Sequence, residues 1–96
     1  MSAISLLICD DSALARKQLL QALPAGWPVT VCQAATGLEA LERIRQGGVD
    51  VMLLDLQLRD PNALDLVRMY RFMRSEDANL PIVGLAPGLN DHMRKR

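Results

Sequence analysis

Three aspartates stand where apolar runs end. Asp10 and Asp11 follow Ser5-Leu6-Leu7-Ile8-Cys9, and Asp55 follows Val51-Met52-Leu53-Leu54, 44 residues beyond Asp11. Each reads as strand, then acid, then helix. In an open α/β sheet, ligands bind just outside the carboxyl ends of the strands. If the two runs are neighbouring parallel strands, the three carboxylates converge on one spot. Such a cluster is costly unless a cation neutralises it, and a hard divalent cation with oxygen ligands suits it best. A lone aspartate at a strand end more often caps a helix or forms a turn. Three in this arrangement point instead to a metal-assisted acidic site.

The elements that must position them follow from periodicity and punctuation. Residues 4–9 form a continuous apolar run, as in a strand buried on both faces. Ser12 is placed to cap a helix through about Leu23, with Leu19, Leu20 and Leu23 on its apolar face and Arg16, Lys17 and Gln18 wet. Pro24-Ala25-Gly26-Trp27-Pro28 breaks the chain, and residues 29–34 are β-rich. Thr36-Gly37 opens a second helix carrying Leu38, Leu41 and Ile44, stopped by Gly47-Gly48. Residues 51–54 make a third strand. Asp60-Pro61-Asn62 opens a third helix that carries Leu64, Leu66, Val67 and the stretch from Met69 to Met73. After a loop over 75–79, residues 80–85 form a fourth strand, and Pro87-Gly88 leads into a short polar end. Strands alternating with helices predict an α/β fold with a parallel sheet wound by right-handed crossovers.

Ninety-six residues allow one domain, without linker, repeat or low-complexity segment. Half the residues are apolar, yet only Trp27, Tyr70 and Phe72 are aromatic, so the core is aliphatic. Met52, Met69 and Met73 read as core filler. Eleven acids balance eleven bases, which gives no pull toward nucleic acid or membrane. Three of the bases, Arg94, Lys95 and Arg96, close the chain and read as a solvated end. His92 has no apparent partner. Cys9 and Cys32 lie in apolar runs and read as small buried hydrophobes rather than a disulfide or metal pair. There is no basic n-region at the start and no run long enough to span a bilayer. These features predict a reduced, cytoplasmic protein.

The segments Ile8-Cys9-Asp10-Asp11-Ser12, Ala34-Ala35-Thr36-Gly37-Leu38-Glu39-Ala40-Leu41, Leu53-Leu54-Asp55-Leu56-Gln57 and Leu80-Pro81-Ile82-Val83, in that order and spacing, resemble the receiver domain of two-component response regulators. The resemblance implies a flavodoxin-like sheet of order 2-1-3-4 over a receiver domain spanning residues 1–96, lacking the fifth strand and helix of the family at its C-terminus. It implies a phosphoprotein of a phosphorelay, not an enzyme. Asp55 would accept a phosphoryl group from a histidine kinase or a phosphotransfer protein. Asp11, Asp55 and the backbone carbonyl of Gln57 would bind Mg²⁺, with Asp10 assisting.

Departures from the family pattern concern the read-out. A Thr or Ser normally ends the fourth strand; aligned on Pro81, that position is Ala86, followed by Pro87. The lysine of the fifth strand has no counterpart, and Leu58-Arg59 and Asn62-Ala63 replace the usual Met-Pro and Asp-Gly features. An alternative reading is therefore a pseudo-receiver, a phosphorylation-independent binding or dimerisation module. An aspartyl-phosphate hydrolase would need an acid where Gln57 stands, and a dinucleotide enzyme would need a Gly-x-Gly-x-x-Gly after the first strand. With the fifth helix absent, the first helix would lose its neighbour. A truncated fragment, a missing part disordered or supplied elsewhere, and a second copy compete to explain the uncovered face, and a twofold dimer is the expectation.

Overall fold

A computed structural model describes residues 3–59, 61–73 and 80–85. The elements run β1 (Ile4–Cys9), α1 (Ala13–Ala22), β2 (Val29–Ala34), α2 (Gly37–Gln46), β3 (Val51–Asp55), α3 (Ala63–Met73) and β4 (Ile82–Leu85). The four strands are parallel and ordered β2-β1-β3-β4. The predicted order and topology are thus those of the molecule. The fourth strand is shorter than predicted, because Leu80 and Pro81 precede the paired segment. Asp60, the loop over 75–79 and everything from Ala86 onward, including Pro87, His92 and Arg94 to Arg96, lie outside the described residues.

Each helix begins where a short polar side chain can take up its free N–H groups. Ser12 Oγ accepts from the Ala15 N–H at 3.1 Å. Thr36 Oγ1 accepts from the Glu39 N–H at 3.1 Å, and the Glu39 carboxylate reaches back to the Ala35 N–H at 3.2 Å. Asn62 Oδ1 accepts from the Asp65 N–H at 2.8 Å. α2 ends at Gly47, whose φ of 86° lies in the left-handed region that a side chain disfavours.

Strand alternation sends neighbouring side chains to opposite faces of the sheet, and the two faces are unequal. Leu7, Cys9, Met52 and Leu54 pack with Ala40, Leu41 and Ile44 of α2 and with Ala63, Leu66 and Tyr70 of α3 in one buried cluster. The other face is thinner. α1 contains no buried residue, and Leu23, just past its end, borders an open hollow with Ile4, Leu6, Trp27, Val51 and Leu53. Trp27 is 59% exposed. The expected apolar residues divide accordingly: Met52 is buried, whereas Leu38 and Met69 are 61% and 41% exposed. Both lie on the solvent side of their helices, a detail that spacing alone does not fix. Cys9 and Cys32 are free thiols, buried and half-buried respectively. No helix among the described residues is long and apolar enough to cross a membrane.

Gly37, at the start of α2, sits close against Pro61 and Leu66. A Cβ there would meet Pro61 Cγ at 2.9 Å and Leu66 Cδ1 at 3.3 Å. The rigid proline ring has little room to yield. Gly37→Ala is therefore expected to lower stability by about 1–3 kcal/mol through overpacking, despite alanine's better helix propensity. Urea denaturation with an unchanged slope and a lower midpoint is the expected reading; an equal or higher midpoint would contradict it.

A candidate phosphoacceptor and cation site

The register of the central strand pair builds the site. Cys9 of β1 lies opposite Leu54 of β3, so the next residue of each segment, Asp10 just past β1 and Asp55 at the end of β3, stands beside the other. Asp11 follows at once. One carboxylate oxygen from each of Asp10, Asp11 and Asp55 lies within 4.8 Å of the other two. Asp10 and Asp55 are buried, at 3% and 6% exposure, while Asp11 is exposed. The three acids singled out from sequence thus meet in space.

The same local device holds the two buried acids. The Ser12 N–H donates to Asp10 Oδ1 at 2.9 Å, and the Gln57 N–H donates to Asp55 Oδ1 at 2.9 Å. Each is an Asx-type turn, in which a side-chain oxygen takes up a backbone N–H two residues on. Among the described residues, the second oxygen of each has no protein donor. Backbone bonds tie the segments down further. The Asp10 N–H donates to the Ala34 carbonyl at 3.1 Å, the Leu56 N–H to the Leu85 carbonyl at 2.8 Å, and the Leu58 N–H to the Asp55 carbonyl at 3.1 Å. Leu58 is buried and anchors the loop after Asp55, while the side chain of Leu56 lies against Gly84, where any Cβ would collide with it at 2.8 Å.

Sequence reasoning read Arg16 as an ordinary helix residue, exposed or salt-bridged, with no role at the site. It is half-buried. Its Nη1 donates to the Asp10 carbonyl at 2.5 Å and its Nε to Gln33 Oε1 at 2.9 Å. A legible signal existed: an arginine one turn beyond a cap can reach back over the end of the preceding strand.

Electrostatically the site is anionic. Neither ion pair among the described residues, Arg45–Glu42 or Arg68–Asp65, includes any of the three aspartates. Burial pushes the Asp10 carboxyl above the ordinary range; the Ser12 N–H opposes this, and the charges of Asp55 and then Asp11 add to it. Burial also pushes the Cys9 thiol beneath them up to about 12, with the Asp10 charge the next contributor. An all-oxygen anionic donor set fits a small hard dication. Asp10, Asp11 and Asp55 would hold such an ion between them, and its charge would offset their mutual repulsion.

Comparison with known proteins agrees with this geometry. A family model described as the response regulator receiver domain matches residues 6–95. The transcriptional regulatory protein TrcR of Mycobacterium tuberculosis is 31% identical over 98% of this chain and 40% of its own length. A response regulator receiver protein from Pseudomonas putida superposes with a TM-score of 0.77 at 25% identity, over 98% of this chain and 80% of that one. The Saccharomyces cerevisiae co-crystal structure of the phosphotransfer protein Ypd1 with the receiver domain of Ssk1 matches with a TM-score of 0.68 at 20% identity, over 88% of this chain and 63% of that one, a likeness of fold. The chain spans less than half the length of the curated relatives it matches.

The raised Asp10 carboxyl carries a prediction about the metal-free protein. A carboxyl whose folded pKa exceeds its unfolded one costs stability above the folded pKa, and that cost vanishes below the unfolded pKa. Asp10→Asn keeps the oxygen that accepts from Ser12 and removes the charge. In chelator, Asp10→Asn is expected to melt a few degrees above wild type at neutral pH, with the gap closing as pH falls through the carboxyl range. A gap that is absent at neutral pH, or that widens in acid, would contradict it.

Proposed function

Because this chain belongs to the response regulator receiver domain family, we propose that it is a phosphoacceptor of a two-component phosphorelay, with Asp55 as the residue that takes the phosphoryl group. The observation that carries this reading is the meeting of Asp10, Asp11 and Asp55 at the carboxyl ends of β1 and β3. Asp55 sits at the strand end with one oxygen held by the Gln57 N–H, which leaves the other to attack phosphorus. In the transfer the new O–P bond forms on Asp55 as the N–P bond of a phosphohistidine breaks, and the imidazole leaves with its electron pair. Asp10, Asp11, Asp55 and the Gln57 carbonyl would hold Mg²⁺. When bound, the ion offsets the repulsion between two anionic reactants and stabilises charge on the transferring oxygens.

The donor is a histidine kinase or a phosphotransfer protein. The Ssk1 receiver domain in its co-crystal structure is paired with such a phosphotransfer protein, which supports this class of partner. A second reading is favoured by one feature of the sequence. Ala86 stands where the family places a hydroxyl, and a methyl cannot hydrogen-bond to a phosphoryl oxygen. On that reading the chain keeps the acidic pocket and acts as a pseudo-receiver, binding partners without phosphorylation. Intact mass after incubation with a small-molecule phosphodonor separates the two. A single Mg²⁺-dependent phosphoryl adduct, absent from Asp55→Ala, is expected; no adduct on the folded wild type would select the pseudo-receiver.

The thin face of the sheet supports a homodimer. Trp27 and Ile4 are largely exposed beside Leu6, Leu23, Val51 and Leu53, an apolar surface that a second copy related by a twofold axis would remove from water. Trp27→Glu, which sets a charge in that contact, is expected to shift sedimentation from dimer to monomer at micromolar concentration. A wild type that stays monomeric at the highest attainable concentration would end the dimer reading.

A further inference from the structure

Arg16 joins three elements by one rigid group. From the first turns of α1 its guanidinium reaches the carbonyl of Asp10, just past the end of β1, and the side chain of Gln33 on β2. The fork is planar, so two bonds made in different directions fix its orientation. The carbonyl it grips belongs to the same peptide plane as the Asp11 N–H. Holding that carbonyl fixes the rotation of the plane, and with it the direction in which the Asp11 side chain departs.

Asp11 is the acid in need of such help. Asp10 is tied through its N–H to Ala34 and through Oδ1 to Ser12; Asp55 is tied through Oδ1 to Gln57 and through its carbonyl to Leu58. The Asp11 carboxylate is exposed and has no hydrogen-bond or ion-pair partner among the described residues. We infer that Arg16 is a positioning residue of the acidic site, which aims Asp11 at a bound cation by clamping the Asp10–Asp11 peptide plane against Gln33. The inference rests on the reading of the three aspartates as a Mg²⁺ site.

Two effects of removing Arg16 have opposite signs, which makes the role measurable. Arg16 is a cation close to a dication site, so by charge alone its removal should tighten Mg²⁺ binding. If it positions Asp11, its removal should weaken binding, and loss of a group that orients a metal ligand typically costs about 10–100-fold in affinity. Calorimetric titration of Mg²⁺ into the full chain, as wild type, Arg16→Ala and Arg16→Lys, reads the sign directly. Arg16→Ala is expected to bind at least tenfold more weakly. Arg16→Lys keeps the charge but not the fork, and is expected to lose affinity as well. Ile44→Val, a core lesion in α2 away from the site, controls for general destabilisation and is expected to bind as wild type does. Equal or tighter binding by Arg16→Ala, or an equal loss in Ile44→Val, would overturn the inference. Should Arg16→Ala fail to fold, Arg16→Lys decides it: weakened binding supports the clamp and wild-type affinity overturns it. If the wild type itself takes up no Mg²⁺, the acidic-site reading falls first and the inference falls with it.

Discussion

The parallel register of β1 on β3 is the constraint on which the rest of the molecule depends. Cys9 opposite Leu54 is what sets Asp10 beside Asp55; a slip of one residue would exchange the two faces of the strand and separate the acids. At the site itself like charges repel and the buried carboxyls lose water, against which the Ser12 and Gln57 N–H groups supply one hydrogen bond each. The register is held from elsewhere. Leu7, Cys9, Met52 and Leu54 are buried between the sheet and the helices α2 and α3, and a shifted strand would turn them toward the thin face. The apolar cluster therefore stabilises an alignment whose purpose lies one residue beyond its edge.

Division of labour between the two faces follows. The face under α2 and α3 carries the contiguous core and the tight contacts, including Gly37 against Pro61. The face under α1 carries no fully buried helix residue, yet α1 supplies both Ser12, which holds Asp10 through its N–H and caps the helix, and Arg16, which grips the Asp10 carbonyl. The less well packed helix is thus fastened mainly by polar bonds at its first turn. Two of those bonds, from the Ser12 N–H and from Arg16 Nη1, end on Asp10, so the helix and the acid pair share anchors.

How much of this the sequence carried can be judged from particular residues. The strands, caps and stops were legible because each has a local cause: Ser12, Thr36 and Asn62 before helices, Gly47 after one, continuous apolar runs for buried strands. The acid cluster was legible because strand ends in a parallel sheet point the same way. Around the helices, Leu41, Ile44 and Leu66 are buried as their spacing predicts, but the orientation of some other side chains escaped. Leu38 and Met69 fit an apolar stripe by spacing, yet face solvent. Arg16 fits a wet face by type, yet turns back over the strand end. Long side chains with several rotors choose among such outcomes by their tertiary surroundings, which a one-dimensional pattern does not contain.

Beneath the acids lies Cys9, buried, with its sulfur 3.7 Å from the Thr36 carbonyl and its thiol pushed up to about 12. Oxidants and alkylating reagents act on the thiolate, and sites that activate cysteine surround it with positive charge. Here the surroundings are negative and closed. The floor of the pocket is therefore chemically passive, and the acidic cluster above it is insulated from the redox state of its medium.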